Sequence, residues 1–430
     1  MCASCLIFNI ISTDYPQGTY FSECWLGSAS MQSQGLRHIV GLDVVRFASA
    51  TMVMVFHLAF WSWAGAGSGT IARLMPNQPS FPELTPVAWV GWVGVEIFFV
   101  LSGFVIAYSA EGASAFAFFR SRFLRLMPAV WICATIAFAV LLAGDFAPFK
   151  ELARHYLKTL VLIPKYQWID GVYWSLCVEI FFYGFILGLL IANRFCQLEL
   201  FIGVIGVVSA LVGIMFSVSL SSGRSFSLPF RPILERIHYS WIPQLFLIEH
   251  GCLFALGAYL WLLLFKGISL RRLAIASVCF VGGYIETLWV AADQAGRVVM
   301  PLQTMVPPVI WLIAVLLIIA SIAMNDRVYA WAGGLVGPIR MLGLMTYPLY
   351  LIHTTVGSAA VLILHNRGVP RFLALLIAMA ICLLASWIVA ATLEPRLKQH
   401  LRPILGALEG RLGRGARIAF LLQTTTPAAP

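Results

Sequence analysis

Residues 307–323 read PPVIWLIAVLLIIASIA, a run of seventeen positions without one charged side chain. A helix that crosses a bilayer needs about 20 predominantly apolar residues. The apolar residues here are continuous rather than alternating, as they also are in LVGIMFSVSL at 211–220. Continuous runs are typical of membrane helices, whereas barrel strands alternate. These stretches predict an all-α fold, a polytopic integral membrane bundle.

The composition of the whole chain agrees with this prediction. Of its 430 residues, 60% are hydrophobic and only 11% are charged, whereas soluble domains carry about 25% charged residues. A water-soluble globular core is therefore excluded. Hydropathy predicts about ten membrane spans, near residues 40–62, 86–109, 126–144, 173–192, 198–219, 244–265, 272–292, 303–323, 341–364 and 371–393.

The charge distribution predicts three regions and an orientation. Residues 1–37 are expected to form an N-terminal cytoplasmic segment, with either Met1 or Met31 as the true start. Residues 38–395 form the transmembrane domain, and 396–430 form a basic cytoplasmic tail that is partly disordered. Lys and Arg residues are enriched on the cytoplasmic side of membrane proteins. The basic tail is therefore expected to lie in the cytoplasm, and so is the N-terminus. The net charge of +10 then reflects topology and contact with anionic lipids, and no nucleic-acid module accompanies it.

The cysteines do not predict a metal site. Most of the nine lie within spans, where a small apolar role is commoner than a disulfide. Cys2 and Cys5 form a lone C-x-x-C without the partner pair that a zinc site needs. We therefore expect no metal and no permanently bound cofactor.

Ionisable residues within spans mark candidate functional positions, since each costs at least about 2.5 kcal/mol on insertion. Arg46 and His57 lie eleven residues apart in the first span, so they share a helix face but sit roughly 16 Å apart along the axis. They cannot pair. This spacing suits an extended substrate held by charge at one end and met by imidazole at the other. The alternative is that Arg46 extends its charge to the membrane surface and that His57 is a core residue hydrogen-bonded to a carbonyl group.

Carboxylates recur in the second and fourth spans. Glu96 lies among aromatic residues, with Ser102 and Gly103 further along the same helix. Glu179 and Tyr183 are spaced i, i+4 and share a face. Trp174 at the start of the fourth span could be a residue of the interfacial aromatic belt.

Two further groups are open to both structural and functional interpretations. Arg120, Arg122 and Arg125 open the third span, where they could follow the positive-inside rule or bind phosphates. In the ninth span, Tyr347, Tyr350 and His353 recur every third residue. Additional polar residues occur in the sixth and seventh spans, where packing and function are equally good explanations: Glu249, His250 and Glu286.

Five motifs in order resemble those of the membrane-bound acyltransferase family 3. The first is LDVVR at 42–46, in which Arg46 is followed by ten residues and then His57. The others are GWVGVEIFFVLSGF at 91–104, Arg122-x-x-Arg125, WSLCVE at 174–179 and YPLYLIH at 347–353. The resemblance covers most of residues 38–400. It implies transfer of an acyl group, usually acetyl, from acyl-CoA to extracytoplasmic sugars, which favours a bacterial inner-membrane protein.

The resemblance also implies roles for individual residues. His57 corresponds to the catalytic histidine and Arg46 to its companion, while Arg122 and Arg125 engage the acyl-CoA from the cytoplasm. The remaining matched residues are expected to line the cavity, with Glu96 and Glu179 close to the chemistry: Glu96, Ser102, Trp174, Glu179, Tyr183, Tyr350 and His353. Two positions depart from the family pattern. Ile180 stands where many relatives have a second acid, and Glu96 stands where aspartate is commoner.

Three functional hypotheses remain open from the sequence. In the first, His57 acts as a general base or forms an acyl-imidazole in an acyltransferase that uses acyl-CoA, a glycan or lipid-linked sugar and the surrounding lipids. In the second, buried carboxylates and histidines relay protons in a secondary transporter. In the third, the chain is a non-catalytic scaffold.

Overall fold

The computed structural model describes residues 38–65, 73–165, 167–218, 240–296 and 303–410 with side chains, and residues 219–221, 297 and 411–424 as backbone. The predicted N-terminal segment 1–37, and with it Cys2 and Cys5, lies outside the described residues. Within the described part the regular structure is entirely helical, which confirms the predicted all-α membrane bundle. One compact unit begins at Ile39.

The α-helices of five or more residues are numbered here in chain order. They are α1 (Val40–Phe56), α2 (Val93–Ala110), α3 (Ala115–Ala143), α4 (Phe149–Leu160), α5 (Tyr173–Ile191), α6 (Leu198–Ser221), α7 (Trp241–Leu245), α8 (Gly251–Phe265), α9 (Leu270–Arg297), α10 (Val306–Ala323), α11 (Asn325–Ala332), α12 (Val336–Ile352), α13 (Ser358–Asn366), α14 (Arg371–Ile388) and α15 (Glu394–Thr424). Three π-helical turns extend or join them, at His57–Trp61, His353–Gly357 and Val389–Leu393.

Most of the predicted spans coincide with long apolar helices. Across the described ranges, nine helical segments are long and apolar enough to cross a membrane. They account for every predicted span except the one at 244–265. There the helix α8 has only 15 residues, about 22 Å at 1.5 Å per residue, which is short of a hydrocarbon core of about 30 Å.

The short helix α8 occupies the interior of the bundle. Residues 251–262 are all buried, because α8 packs against α2, α6 and α9. The chain before it, residues 246–250, is a series of turns, and Leu247 has a left-handed φ of 62°. Irregular backbone at membrane depth is tolerated only where protein or a cavity encloses it. The predicted sixth span is therefore a broken segment.

Glycines bring α2 close to its neighbours. A side chain on Gly103 would collide with the carbonyl oxygen of Phe254 in α8, and one on Gly94 would collide with that of Ser49 in α1. Glycine at both positions therefore permits the close approach of these helices. The contacts hold α2 between the helix that carries His57 and the enclosed helix α8.

The basic tail is mainly helical. Helix α15 runs to Thr424 and follows α14 through a π-helical turn. The last residues of the tail, 425–430, which belong to the stretch expected to be disordered, lie outside the described residues. Arg120 of α3 forms an ion pair of 2.9 Å with Glu409 of α15, which ties the helix to the bundle. The cysteines of the described spans are free, as expected.

Candidate active site

His57 lies at a change in helix geometry. Helix α1 ends at Phe56, and the π-helical turn His57–Trp61 begins with this histidine. Such turns occur often at functional sites, because they displace side chains from the regular helical positions. The His57 side chain is half-buried, so part of it remains accessible to a reactant.

His353 occupies the same kind of position and contacts His57 directly. It begins the π-helical turn that follows α12, and its side chain is completely buried. Its Nε2 lies 3.0 Å from His57 Nδ1. The sequence placed His353 on the cavity wall, and the structure makes it the partner of the candidate catalytic imidazole.

Hydrogen bonds assign the tautomers of this pair. His353 Nδ1 lies 3.1 Å from the Leu349 carbonyl oxygen, which can only accept, so this nitrogen carries the proton in the neutral ring. Nε2 of His353 is then an acceptor. His57 Nδ1 faces that acceptor and also the Val53 carbonyl oxygen at 3.0 Å, so Nδ1 of His57 donates. Nε2 of His57 is consequently the nitrogen with the free electron pair.

Asp170, which the sequence analysis did not single out, anchors the turn that carries His353. Its buried carboxylate accepts hydrogen bonds from the Thr354 hydroxyl at 2.9 Å and from the Thr355 amide at 2.9 Å and hydroxyl at 2.5 Å. It also accepts from the amide of Val172 at 3.1 Å. An acid four residues before Trp174 of the WSL motif, and two threonines directly after His353, were the available signals. Their contact spans 184 and 185 positions of sequence and could not be deduced locally.

A second polar group gathers around Glu179. Its Oε1 accepts hydrogen bonds from Ser102 Oγ at 2.9 Å and Tyr183 Oη at 2.8 Å. The Arg122 guanidinium lies 5.8 Å from the centre of the Tyr183 ring. The expected i, i+4 pairing of Glu179 with Tyr183 is therefore present, and Ser102 and Arg122 belong to the same group.

Arginine side chains concentrate beside Glu179. Arg125 lies 5.6 Å from the centre of the Tyr347 ring, and the charges of Arg125 and Glu179 both act on Arg46. Arg46 also forms an ion pair of 3.2 Å with Asp43. The Nε atom of Arg122 is buried and forms no hydrogen bond within the described protein. Three guanidinium groups face two carboxylates, those of Asp43 and Glu179, and the remaining positive charge suits a phosphate-bearing ligand.

Tyr350 lies between the two groups. Its ring centre is 5.9 Å from that of His353, and its hydroxyl is 2.7 Å from Ser175 Oγ. Trp174, the neighbour of Ser175, instead packs at 5.5 Å against the ring of His250. Tyr350 therefore connects the histidine pair to α5.

Glu96 belongs to a different cluster. Its Oε2 lies 3.8 Å from His250 Nδ1, and the same nitrogen is 2.7 Å from Glu286 Oε1. Its polar neighbours are therefore His250 and Glu286 of the sixth and seventh spans, rather than His57.

Comparison with known proteins agrees with this arrangement. The family model described as "Acyltransferase domain" matches residues 39–391, which include both histidines, the three arginines and Glu179. The chain belongs to this acyltransferase family. The resemblance found in the sequence is thereby confirmed, and the protein is an acyltransferase and an integral, multi-pass membrane protein. The transporter and scaffold hypotheses are not supported.

Three curated relatives share parts of the acyltransferase chain. Acyltransferase MdmB of Streptomyces mycarofaciens is 27% identical over 65% of this chain and 72% of its own length. Exopolysaccharide production protein ExoZ of Rhizobium meliloti (strain 1021) is 30% identical over 29% of this chain and 41% of its own. Nodulation protein 10 of Rhizobium leguminosarum bv. viciae is 28% identical over 37% and 45%. The match thus spans less than half the length of the last two, and no solved structure matches this chain significantly.

Proposed function

We propose that this acyltransferase moves an acyl group, in the simplest case acetyl, from cytoplasmic acyl-CoA to a hydroxyl of an extracytoplasmic glycan or glycolipid. Family membership supports the reaction type. The relative named for exopolysaccharide production supports a polysaccharide acceptor. Acyl-CoA enters as a co-substrate, and the site resides in the bacterial inner membrane with both termini in the cytoplasm.

The histidine pair carries the proposal. His57 Nδ1 donates to His353 Nε2 at 3.0 Å, which leaves Nε2 of His57 to accept a proton. A hydrogen-bonded acceptor behind the base stabilises the imidazolium that forms, as the aspartate of a catalytic triad does. The accessible position of His57 and the buried position of His353 match these two roles.

The arginine group supplies the donor site. We assign the phosphates of acyl-CoA to Arg122 and Arg125, with Arg46 beside them, because guanidinium groups bind phosphate in a bidentate manner. The unpaired Nε of Arg122 provides a hydrogen-bond donor for this purpose. The thioester would then extend along the α12 face that carries Tyr347, Tyr350 and His353 toward His57.

The reaction needs one proton acceptor and a positioned thioester. His57 Nε2 removes the proton of the acceptor hydroxyl as its oxygen attacks the thioester carbonyl carbon. The tetrahedral intermediate collapses, the carbon–sulfur bond breaks, and the thiolate of CoA takes the proton from His57. The products are an oxygen ester and CoA. Because thioesters are already activated, positioning and proton transfer provide most of the catalysis.

Proteoliposomes that contain the purified chain test this proposal. We expect radiolabel from acetyl-CoA supplied on the cytoplasmic face to appear in a glycan fraction on the opposite face. Rapid quenching with donor alone distinguishes the two routes. Direct transfer predicts no acid-stable or hydroxylamine-sensitive label on the protein, whereas a stoichiometric burst of labelled protein would contradict direct attack and indicate an acyl-imidazole. Failure to label any glycan from cells that express the chain would contradict the proposed acceptor.

A further inference from the structure

A buried cluster away from the histidine pair joins three elements of the bundle. Glu96 comes from α2, His250 from the turn before α8 and Glu286 from α9. Their exposed fractions are 4%, 7% and 2%, respectively. None of these three side chains takes part in the proposed acyl transfer by His57. Uncompensated charge at such depth is strongly unfavourable, so the cluster requires an explanation of its own.

The geometry of the cluster is that of a ligand set. One donor atom from each residue lies within 4.8 Å of the other two. His250 Nδ1 is 2.7 Å from Glu286 Oε1 and 3.8 Å from Glu96 Oε2. Donors at the usual bond length of about 2.1 Å around a tetrahedral ion would lie about 3.4 Å apart. Small side-chain rotations would therefore bring all three atoms to ligand distance.

One atom of the cluster lacks a partner. Glu96 Oε2 is buried and forms no hydrogen bond within the described protein. A protonated His250 would satisfy Glu286, but at 3.8 Å it leaves Glu96 without a hydrogen bond. A divalent cation would satisfy both carboxylates and the imidazole together. Two carboxylates with a neutral imidazole carry a charge of −2, which a divalent cation balances.

The surroundings also favour an ion. Cys252 Sγ donates to Glu286 Oε2 at 3.2 Å, which orients that carboxylate through its second oxygen. The rings of Phe99 and Trp174 lie 4.9 Å and 5.5 Å from that of His250 and exclude water from it. In metal sites the ligating side chains are commonly oriented by hydrogen bonds to residues around them and are enclosed by apolar side chains.

We propose that Glu96, His250 and Glu286 bind one divalent metal ion of the zinc class. Nitrogen and carboxylate oxygen donors suit zinc and its neighbours in the first transition row better than calcium or magnesium. Three protein ligands leave a coordination position for water or a reactant oxygen. The ion would fasten the broken segment before α8 to α2 and α9.

Metal content of the full-length protein in lipid nanodiscs tests the site. After treatment with a chelator, the protein is incubated with ZnCl₂, passed through a desalting column and measured by mass spectrometry of the elements. We expect about one zinc per chain in the wild type. E286Q and H250Q, which keep side-chain size, should weaken zinc binding at least roughly tenfold.

Two controls make the result decisive. E179Q removes a carboxylate of the same bundle that lies outside the cluster, so it should retain zinc. C2S/C5S tests whether zinc binds instead at Cys2 and Cys5, the only C-x-x-C of the sequence. Size-exclusion profiles show whether each variant is folded, and binding of Co²⁺ by the wild type gives an absorption spectrum that reports the ligands without mutation. Less than about 0.1 zinc per chain in the wild type would overturn the proposal. So would zinc that persists in both E286Q and H250Q, or that disappears only in C2S/C5S.

Discussion

The two histidines illustrate how position decides the role of a residue type. Both lie at the start of a π-helical turn and both use Nδ1 toward a carbonyl of their own helix. His57 keeps accessible surface, whereas His353 is completely buried. The first is therefore suited to meet a reactant and the second to hold the first in one tautomer.

Replacing His353 should impair proton transfer rather than binding. In H353L the imidazole acceptor for His57 Nδ1–H is lost and only the Val53 carbonyl oxygen remains, so kcat should fall roughly 10- to 100-fold, within the range of general-base effects, while KM for acetyl-CoA remains near wild type. H353Q, whose amide oxygen can accept the same hydrogen bond, should recover part of kcat. Steady-state kinetics in proteoliposomes measure both. An unchanged kcat in H353L would show that the pair has no catalytic function.

The arginines should affect the donor selectively. R122A and R125A remove guanidinium groups beside Glu179, so each should raise KM for acetyl-CoA about tenfold, or roughly 1.4 kcal/mol of binding, and lysine should restore little of the bidentate contact. R120A is the matched control, because Arg120 instead pairs with Glu409. The assignment would be wrong if R120A raised KM as much as R122A and R125A.

At the residue scale, the sequence identified the catalytic candidates but not their partners. His57, Glu179 with Tyr183, and the arginine pair were visible as costly polar residues and as family motifs. The contact between His57 and His353 joins positions 296 residues apart, and no periodicity within one helix encodes it. The same separation concealed Asp170 as the anchor of Thr354 and Thr355, and Glu96 as a neighbour of His250.

At the scale of elements, the π-helical turn of His353 depends on Asp170. D170N keeps the size of the side chain but replaces one accepting oxygen with a donor that faces the Thr hydroxyls and amide. We expect destabilisation of about 1–3 kcal/mol and a lower kcat with little change in KM. Thermal unfolding and steady-state kinetics of D170N measure both effects. Wild-type stability together with wild-type kcat would contradict the anchoring function.

Close packing of α2 on α8 gives a second prediction for elements. In G103A the new methyl group meets the Phe254 carbonyl oxygen, so the helices must separate, and overpacking of this kind costs typically about 1–3 kcal/mol. G184A makes the same substitution in α5, where nothing lies within 4 Å of the added group. Thermal unfolding should show a lower Tm for G103A alone. Equal Tm values for the two variants would contradict the packing described here.

Hydropathy alone was sufficient to predict most of the membrane spans. Long apolar runs predicted nine of the helical spans, because a membrane helix must be continuous and apolar wherever lipid surrounds it. This requirement does not apply to helix α8, because lipid does not surround it. Since other helices enclose residues 251–262, the chain can break before them without exposing its backbone to lipid.

For the whole molecule, the orientation remains a prediction. The basic turn with Lys266, Arg271 and Arg272 and the basic tail should lie in the cytoplasm. Fusions of a periplasm-dependent phosphatase after residue 430 should be inactive, whereas fusion of a cytoplasm-dependent reporter there should be active. The reverse pattern would place the arginine group opposite the acyl-CoA pool and contradict the assigned donor site.

The proposed mechanism depends most directly on the base function of His57. In H57Q, which preserves size and one hydrogen-bonding atom, single-turnover acyl transfer from labelled acetyl-CoA should slow at least about 100-fold. H365Q alters an exposed histidine of α13 and should remain at the wild-type rate. Circular dichroism and size-exclusion profiles establish that both variants are folded. A folded H57Q protein that retains more than about half of the wild-type rate would contradict the mechanism.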